Sequence, residues 1–157
     1  MKPEQYFLKY SFPCAHVLVE HGSITEEKLE EIRQNVIYDK IMKRDELEFL
    51  FPAAFRRIRD VAVKMNKDVW SMEVLKKYFL EEHNHYIEQQ EGNYASFGKT
   101  FREFCKVNIG KVTAKEADIL TVRYGDKERI VLTEILPDVK IGDKVSIHQG
   151  FAVEKFE

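Results

Sequence analysis

The hydrophobic period of this chain changes once, near residue 104, and that change limits the possible folds more than any other feature. Before it, apolar residues recur at three- and four-residue spacing, the repeat of a helix with one buried stripe. After it, they alternate, the repeat of a strand with one buried face. The sequence therefore predicts an α+β protein with its two kinds of structure in series: an all-helical domain over residues 1–100 and a small OB-like β-barrel over residues 104–157. The boundary is expected between Gln89 and Phe104, where the polar run Gln89-Gln90-Glu91-Gly92-Asn93 reads as a loop.

In the first part, Tyr6, Phe7, Tyr10, Cys14, Val17 and Leu18 form the stripe of a first helix. Pro13 lies inside it and predicts a kink or a break, because proline lacks the amide donor and crowds the preceding turn. Gly22 is placed to stop that helix in a left-handed cap, and Ser23 or Thr25 to cap a second, with Glu26 and Glu27 in its first turn. Leu29, Ile32 and Val36 are its expected buried stripe. A third helical stretch from about Asp45 is interrupted at Pro52 and resumes through Phe55, Ile58, Val61, Ala62 and Met65. A longer one runs from about Ser71 through Ile87. Tyr94 to Glu103 fits either a short helix or an extended linker.

In the second part, Ile119, Thr121 and Arg123 alternate with Leu120, Val122 and Tyr124. Gly125-Asp126 supplies a two-residue hairpin loop of the type that needs glycine at positive φ. That register sets Arg123 opposite Glu128, a favourable cross-strand pair. Lys115–Asp118, Pro137-Asp138 and Gly142-Asp143 mark further turns. Five short strands in some fifty residues suit a closed barrel, which leaves few exposed edges.

Composition narrows the functional classes. Basic and acidic residues number 25 and 27, so no global charge favours nucleic acid or an anionic membrane. No apolar run approaches the ~20 residues that span a bilayer. The opening Met1-Lys2-Pro3-Glu4-Gln5-Tyr6 lacks the layout of a secretion signal, and Cys14 and Cys105 make no disulfide framework. A cytoplasmic location is the expectation.

The most specific motif closes the chain: Ile141-Gly142-Asp143-Lys144-Val145-Ser146-Ile147-His148-Gln149-Gly150-Phe151-Ala152. A Gly-Asp turn feeds an alternating strand, which delivers a histidine two residues before a glycine. At the other end of the barrel sequence stands Cys105-Lys106-Val107-Asn108-Ile109-Gly110-Lys111-Val112. Together these segments resemble the hydrogenase-maturation chaperone family usually called HypC/HupF. Its members open on a cysteine, three variable residues and then Pro-Gly-Lys/Arg-Val or a close variant, and close on Val-Gly-Asp, a hydrophobic strand and His-x-Gly-Phe-Ala; the cysteine-to-glycine spacing is kept here. The likeness covers about residues 104–157. Cys105 is internal here, whereas the family's cysteine follows the initiator Met, and Ile109 stands where the family has proline.

The resemblance implies a non-enzymatic chaperone or scaffold that helps assemble the iron centre of nickel–iron hydrogenases. It implies a maturation partner protein and the hydrogenase large-subunit precursor as partners, and iron held transiently with a partner. Carried over by residue, Cys105 would be the iron-contacting thiolate and His148 its neighbour. Gly110, Lys111, Gly142, Asp143, Gly150 and Phe151 would be the partner-binding or structural motif. The donor types suit the metal, thiolate being a soft ligand and neutral imidazole a good one. Two protein donors leave an octahedral shell to be completed by a partner or by diatomic ligands.

Each residue also has a plainer reading. Cys105 can be a small buried apolar residue, His148 a core histidine bonded to backbone, and Gly150 a point where the strand bends. Cys14/His16 and His83/His85 have i, i+2 spacing, which points them to different helix faces. Lys43-Arg44 and Arg56-Arg57-Ile58-Arg59 read as a solvated face, interleaved as they are with Glu46, Glu48 and Asp60. Two alternative functions stay open. One is an OB-type module for nucleic acid or another ligand. Against it, Phe104 to Glu157 carries nine Lys and Arg with nine Asp and Glu, and its aromatics are scattered. The other is an enzyme with Cys105 as nucleophile and His148 as base, which lacks an evident third residue to orient the base.

Overall fold

The computed structural model describes every residue, 1–157. The chain separates into two compact units, Met1–Gly98 and Lys99–Glu157.

The first unit is helical: α1 (Pro3–Glu20), α2 (Glu26–Ile37), α3 (Arg44–Leu50), α4 (Pro52–Met65), α5 (Met72–Lys77) and α6 (His83–Glu88), followed by a 3₁₀ turn at Gly92–Ser96. Its ends follow from the sequence. Gly22 adopts φ +73 just past α1, and the amides of Gly22 and Ser23 bond the carbonyls of Val19 and Leu18 at 2.9 and 2.8 Å, a Schellman closure. The Thr25 side chain accepts from the Lys28 amide and caps α2, and Ser71 does the same for α5 through Val74. Pro52 occupies the first turn of α4, where its missing donor costs nothing.

Pro13 does not break α1, which runs as one helix of 18 residues. The lost backbone bond is compensated by burial: Tyr6, Phe7, Leu8, Tyr10, Phe12, Pro13 and Ala15 are all in the core. Phe7 packs on Phe55 with ring centroids 4.5 Å apart, Phe55 on Trp70 at 5.0 Å, and Tyr10 stacks on Phe79 at 4.9 Å. Within the long helix after Ser71, Tyr78–Glu82 is wound as a π-helix. The extra residue rephases the stripe, so that Val74, Leu75, Tyr78, Phe79, His83 and Ile87 are all buried.

The second unit opens with α7 (Lys99–Cys105) and continues as β1 (Val107–Glu116), β2 (Ile119–Tyr124), β3 (Lys127–Leu132), β4 (Lys144–His148) and β5 (Phe151–Phe156). The strands close a barrel in the order β1-β2-β3-β5-β4, the Greek-key arrangement of an OB-like fold. The expected pairing Arg123↔Glu128 holds, and Gly125 sits at φ +60 in the loop beneath it. Neighbouring strands are antiparallel except at the closure, where β3 meets β5 through the single pairing Leu132↔Phe151. Val112, Leu120, Val122, Val131, Val139, Val145, Ile147 and Ala152 fill the interior. Residues 99–105 thus belong with the barrel rather than with the helices before them.

Candidate functional site

Register decides what lies near His148. β1 and β4 pair through Val107↔His148 and Asn108↔Ile147. Ile147 belongs to the interior, so alternation puts His148 and Val107 side by side on the other face of the wall. Cys105 is two residues upstream of Val107. It is the last residue of α7, not the start of the first strand. The two residues singled out in the sequence therefore occur at the same end of the barrel. Gln149, the residue after His148, has its Nε2 3.9 Å from the Cys105 sulfur.

Neither residue faces solvent. Cys105 is 4% exposed and His148 0%. Burial pushes the Cys105 thiol up to about 11, against a smaller downward pull from the Arg129 charge. Burial thus disfavours the thiolate, and ionisation is what makes a cysteine a ligand or a nucleophile. No group of three or more His, Cys, Asp or Glu side chains is arranged to hold a metal ion.

The remaining motif residues have mechanical roles. A Cβ on Gly110 would lie 2.5 Å from the Arg123 carbonyl oxygen and 2.8 Å from Val122 Cγ1, so only glycine lets β1 and β2 approach there. Lys111 is exposed and pairs with Arg123 on one side and Lys144 on the other, a row of three cations on neighbouring strands. Gly142, at φ +94, and Asp143 splice the start of β4 onto β1: the Gly142 amide bonds the Val112 carbonyl, and the Val112 amide bonds the Asp143 carbonyl, both at 2.9 Å. A hydrogen bond from Lys155 and one from the Lys140 amide hold the Asp143 carboxyl below its usual range. Gly150 lies with Gln149 in the turn between β4 and β5. The left-handed residue of the β4–β5 turn is Gln149, at φ +51, while the space around Gly150 is open. Phe151 carries the barrel closure with Leu132.

Two residues that the sequence reading passed over complete the site. One is Gln149. The other is Arg129, which donates from Nη1 to the Phe104 and Gln149 carbonyls and from Nη2 to the Glu103 carbonyl, each at 3.3 Å. The signal for Arg129 was available: it stands two residues before buried Val131, a cation in the inward phase of an alternating strand. An open groove of about 370 Å³ runs beside it, lined among others by Glu103, Ile109, Tyr124, Lys127 and Arg129.

The helical unit places its candidate ligands apart from any such arrangement. His16 Nδ1 lies 3.2 Å from the Pro13 carbonyl, and His83 is buried with its Nδ1 3.3 Å from Asn84 Oδ1. Arg57 departs from the solvated-face reading. It is 3% exposed, bonded to Glu91 at 2.6 Å and Asn93 at 3.0 Å, with its guanidinium 4.4 Å from the Tyr94 ring centroid.

No helix is long and apolar enough to cross a membrane. The chain matches no protein-family model, and no curated protein is significantly similar to it.

Proposed function

We propose that this protein is a non-enzymatic chaperone or scaffold in the maturation of a nickel–iron hydrogenase metallocentre, or a diverged relative of one. In this reading the barrel contacts cargo iron through Cys105 and His148. A maturation partner and the large-subunit precursor are the molecules it meets. The observation that supports it is the β1–β4 register, which brings the Cys105 segment alongside His148 in an OB-like barrel, the two residues that the motif likeness picks out. Iron enters as cargo, with its remaining ligands supplied from outside the chain. What this chain supplies is a soft sulfur donor, an imidazole and a frame that fixes both.

Burial raises the Cys105 pKa, which disfavours a standing thiolate in the closed site whether as ligand or as nucleophile; the motif likeness, which pairs Cys105 with His148 as an iron contact, is what favours the ligand reading. The nucleic-acid reading has the pair of rings beside Arg129 to draw on, Tyr124 and Phe104 at 5.4 and 5.3 Å, in a barrel segment whose charges balance.

The test is co-purification of the tagged chain with a hydrogenase large-subunit precursor and a maturation partner under anaerobic conditions, with iron measured in the complex. The wild-type chain should retain partner and iron. Cys105→Ser should retain the partner and lose at least ten-fold of the iron, and His148→Gln should weaken iron retention less. Equal iron in wild type and Cys105→Ser would remove the reading, as would the absence of any partner.

A further inference from the structure

One side chain fastens the end of α7 to the barrel. Arg129 grips the carbonyls of Glu103 and Phe104 in the last turn of α7, and the carbonyl of Gln149 in the β4–β5 turn. Last-turn carbonyls lack intrahelical partners and carry the negative end of the helix dipole, so a guanidinium suits them. The same group lies over the rings of Phe104 and Tyr124. Cys105 is held in the gap that this grip spans. Phe104 precedes it, and the Gln149 amide lies against its sulfur.

We propose that Arg129 is a latch, a positioning residue that keeps Cys105 covered, and that its release lets the end of α7 lift from the β4–β5 turn as a local unit. The grip is firm in number and weak in kind. Its three bonds are at the long end for N–H···O, and all accept at neutral carbonyls. Arg129 makes no ion pair, while the nearby Glu103 carboxylate is taken by Lys106 at 2.8 Å. Gln149 holds a left-handed backbone without being glycine, so the closed turn stores strain that opening relieves. The groove along Tyr124, Lys127 and Arg129 leaves the latch within reach of solvent and of a partner's side chains.

The latch deepens the reading above by giving its site a gate, and rests on that reading only for what meets the thiol once the gate is open. Its test needs neither iron nor partner. The full-length native protein is alkylated with iodoacetamide at increasing urea below the unfolding transition, and Cys105 labelling is followed by mass spectrometry. Local opening predicts a slow wild-type rate that is nearly independent of urea. Arg129→Met should label at least ten-fold faster, Arg129→Lys in between, and Lys127→Met, from the same groove, at the wild-type rate. Electrostatics alone would move Arg129→Met the other way, because the Arg129 charge lowers the thiol pKa. A wild-type rate that climbs with urea as steeply as global unfolding overturns the latch. So does a folded Arg129→Met that labels at the wild-type rate. Should Arg129→Met fail to fold, the wild-type urea slope decides alone. A failed iron assay leaves these outcomes unchanged, and a failed latch leaves the iron reading to its own test.

Discussion

Burial rather than a charged neighbour sets the chemistry of Cys105, and this gives its behaviour a definite direction with pH. The folded thiol holds its proton to about 11, above the ~8.5 of an unfolded cysteine. A pKa raised on folding contributes stability that is fully present below the unfolded value and is lost as pH rises through the folded one. The unfolding midpoint of the wild type should therefore fall between about pH 8.5 and pH 11. Cys105→Ala should show a flatter alkaline limb in urea titrations at each pH. Parallel limbs would mean that the thiol is not buried in solution. Gly110 gives a second prediction at this scale. A methyl group there meets backbone, which cannot swing aside as a side chain can. Gly110→Ala should cost about 1–3 kcal/mol, the range of overpacked cores, measured by equilibrium denaturation. Gly150→Ala, with open space around it, should cost less than about 1 kcal/mol.

At the scale of elements, two charge arrangements carry opposite signs. Arg57 of α4 reaches Glu91, just ahead of the 3₁₀ turn, and hydrogen bonds from Arg56 and then Arg57 hold the Glu91 carboxyl below its usual range. Removing that carboxylate strands a buried guanidinium. Glu91→Gln should cost about 2–3 kcal/mol at pH 7, less than the ~3–5 of a fully buried pair, because the Glu91 side chain is 25% exposed. A depressed carboxyl stabilises above its unfolded value and loses that contribution as pH falls through the folded one. The gap between variant and wild type should then shrink below about pH 4. In the barrel, Lys111 lies between Arg123 and Lys144 on adjacent strands, and like charges directly opposite repel. Lys111→Glu should stabilise the barrel by about 0.5 kcal/mol at low salt and less at high salt; equal stability at low salt would show the row to be fully solvated.

These elements also show how far the sequence could be read. Caps at Thr25 and Ser71, the stop at Gly22 and the hairpin at Gly125 were legible because each depends on one residue type in one backbone state. The period-two pattern after residue 104 gave the barrel and the Arg123↔Glu128 register for the same local reason. Pro13 misled because local propensity counts one lost bond and tertiary burial of Phe12 and Ala15 outweighs it. The π-helical segment was hidden because a rephased stripe looks, residue by residue, like a slightly irregular α-helix. Motif spacing singles out Cys105 and His148, but spacing is silent on cover. The contacts around Cys105, from Gln149 to its sulfur and from Arg129 to the Gln149 carbonyl, join residues 44 and 20 positions apart, beyond the reach of a local pattern.

For the molecule as a whole, the division at Gly98/Lys99 predicts that a fragment of residues 99–157 holds its own core. It should give a β-rich circular-dichroism spectrum and a cooperative transition, though a marginal one at this length. A mostly helical spectrum would contradict the division. The manner of closure adds a consequence for that core. Since β3 and β5 meet only through Leu132 and Phe151, breaking that seam would unroll the wall into one ribbon, β3-β2-β1-β4-β5, with an unsatisfied margin on each side. Ribbons of that kind exchange margins with their twins. Under mildly destabilising conditions, strand-exchanged dimers that accumulate with protein concentration should appear before any unfolded monomer does.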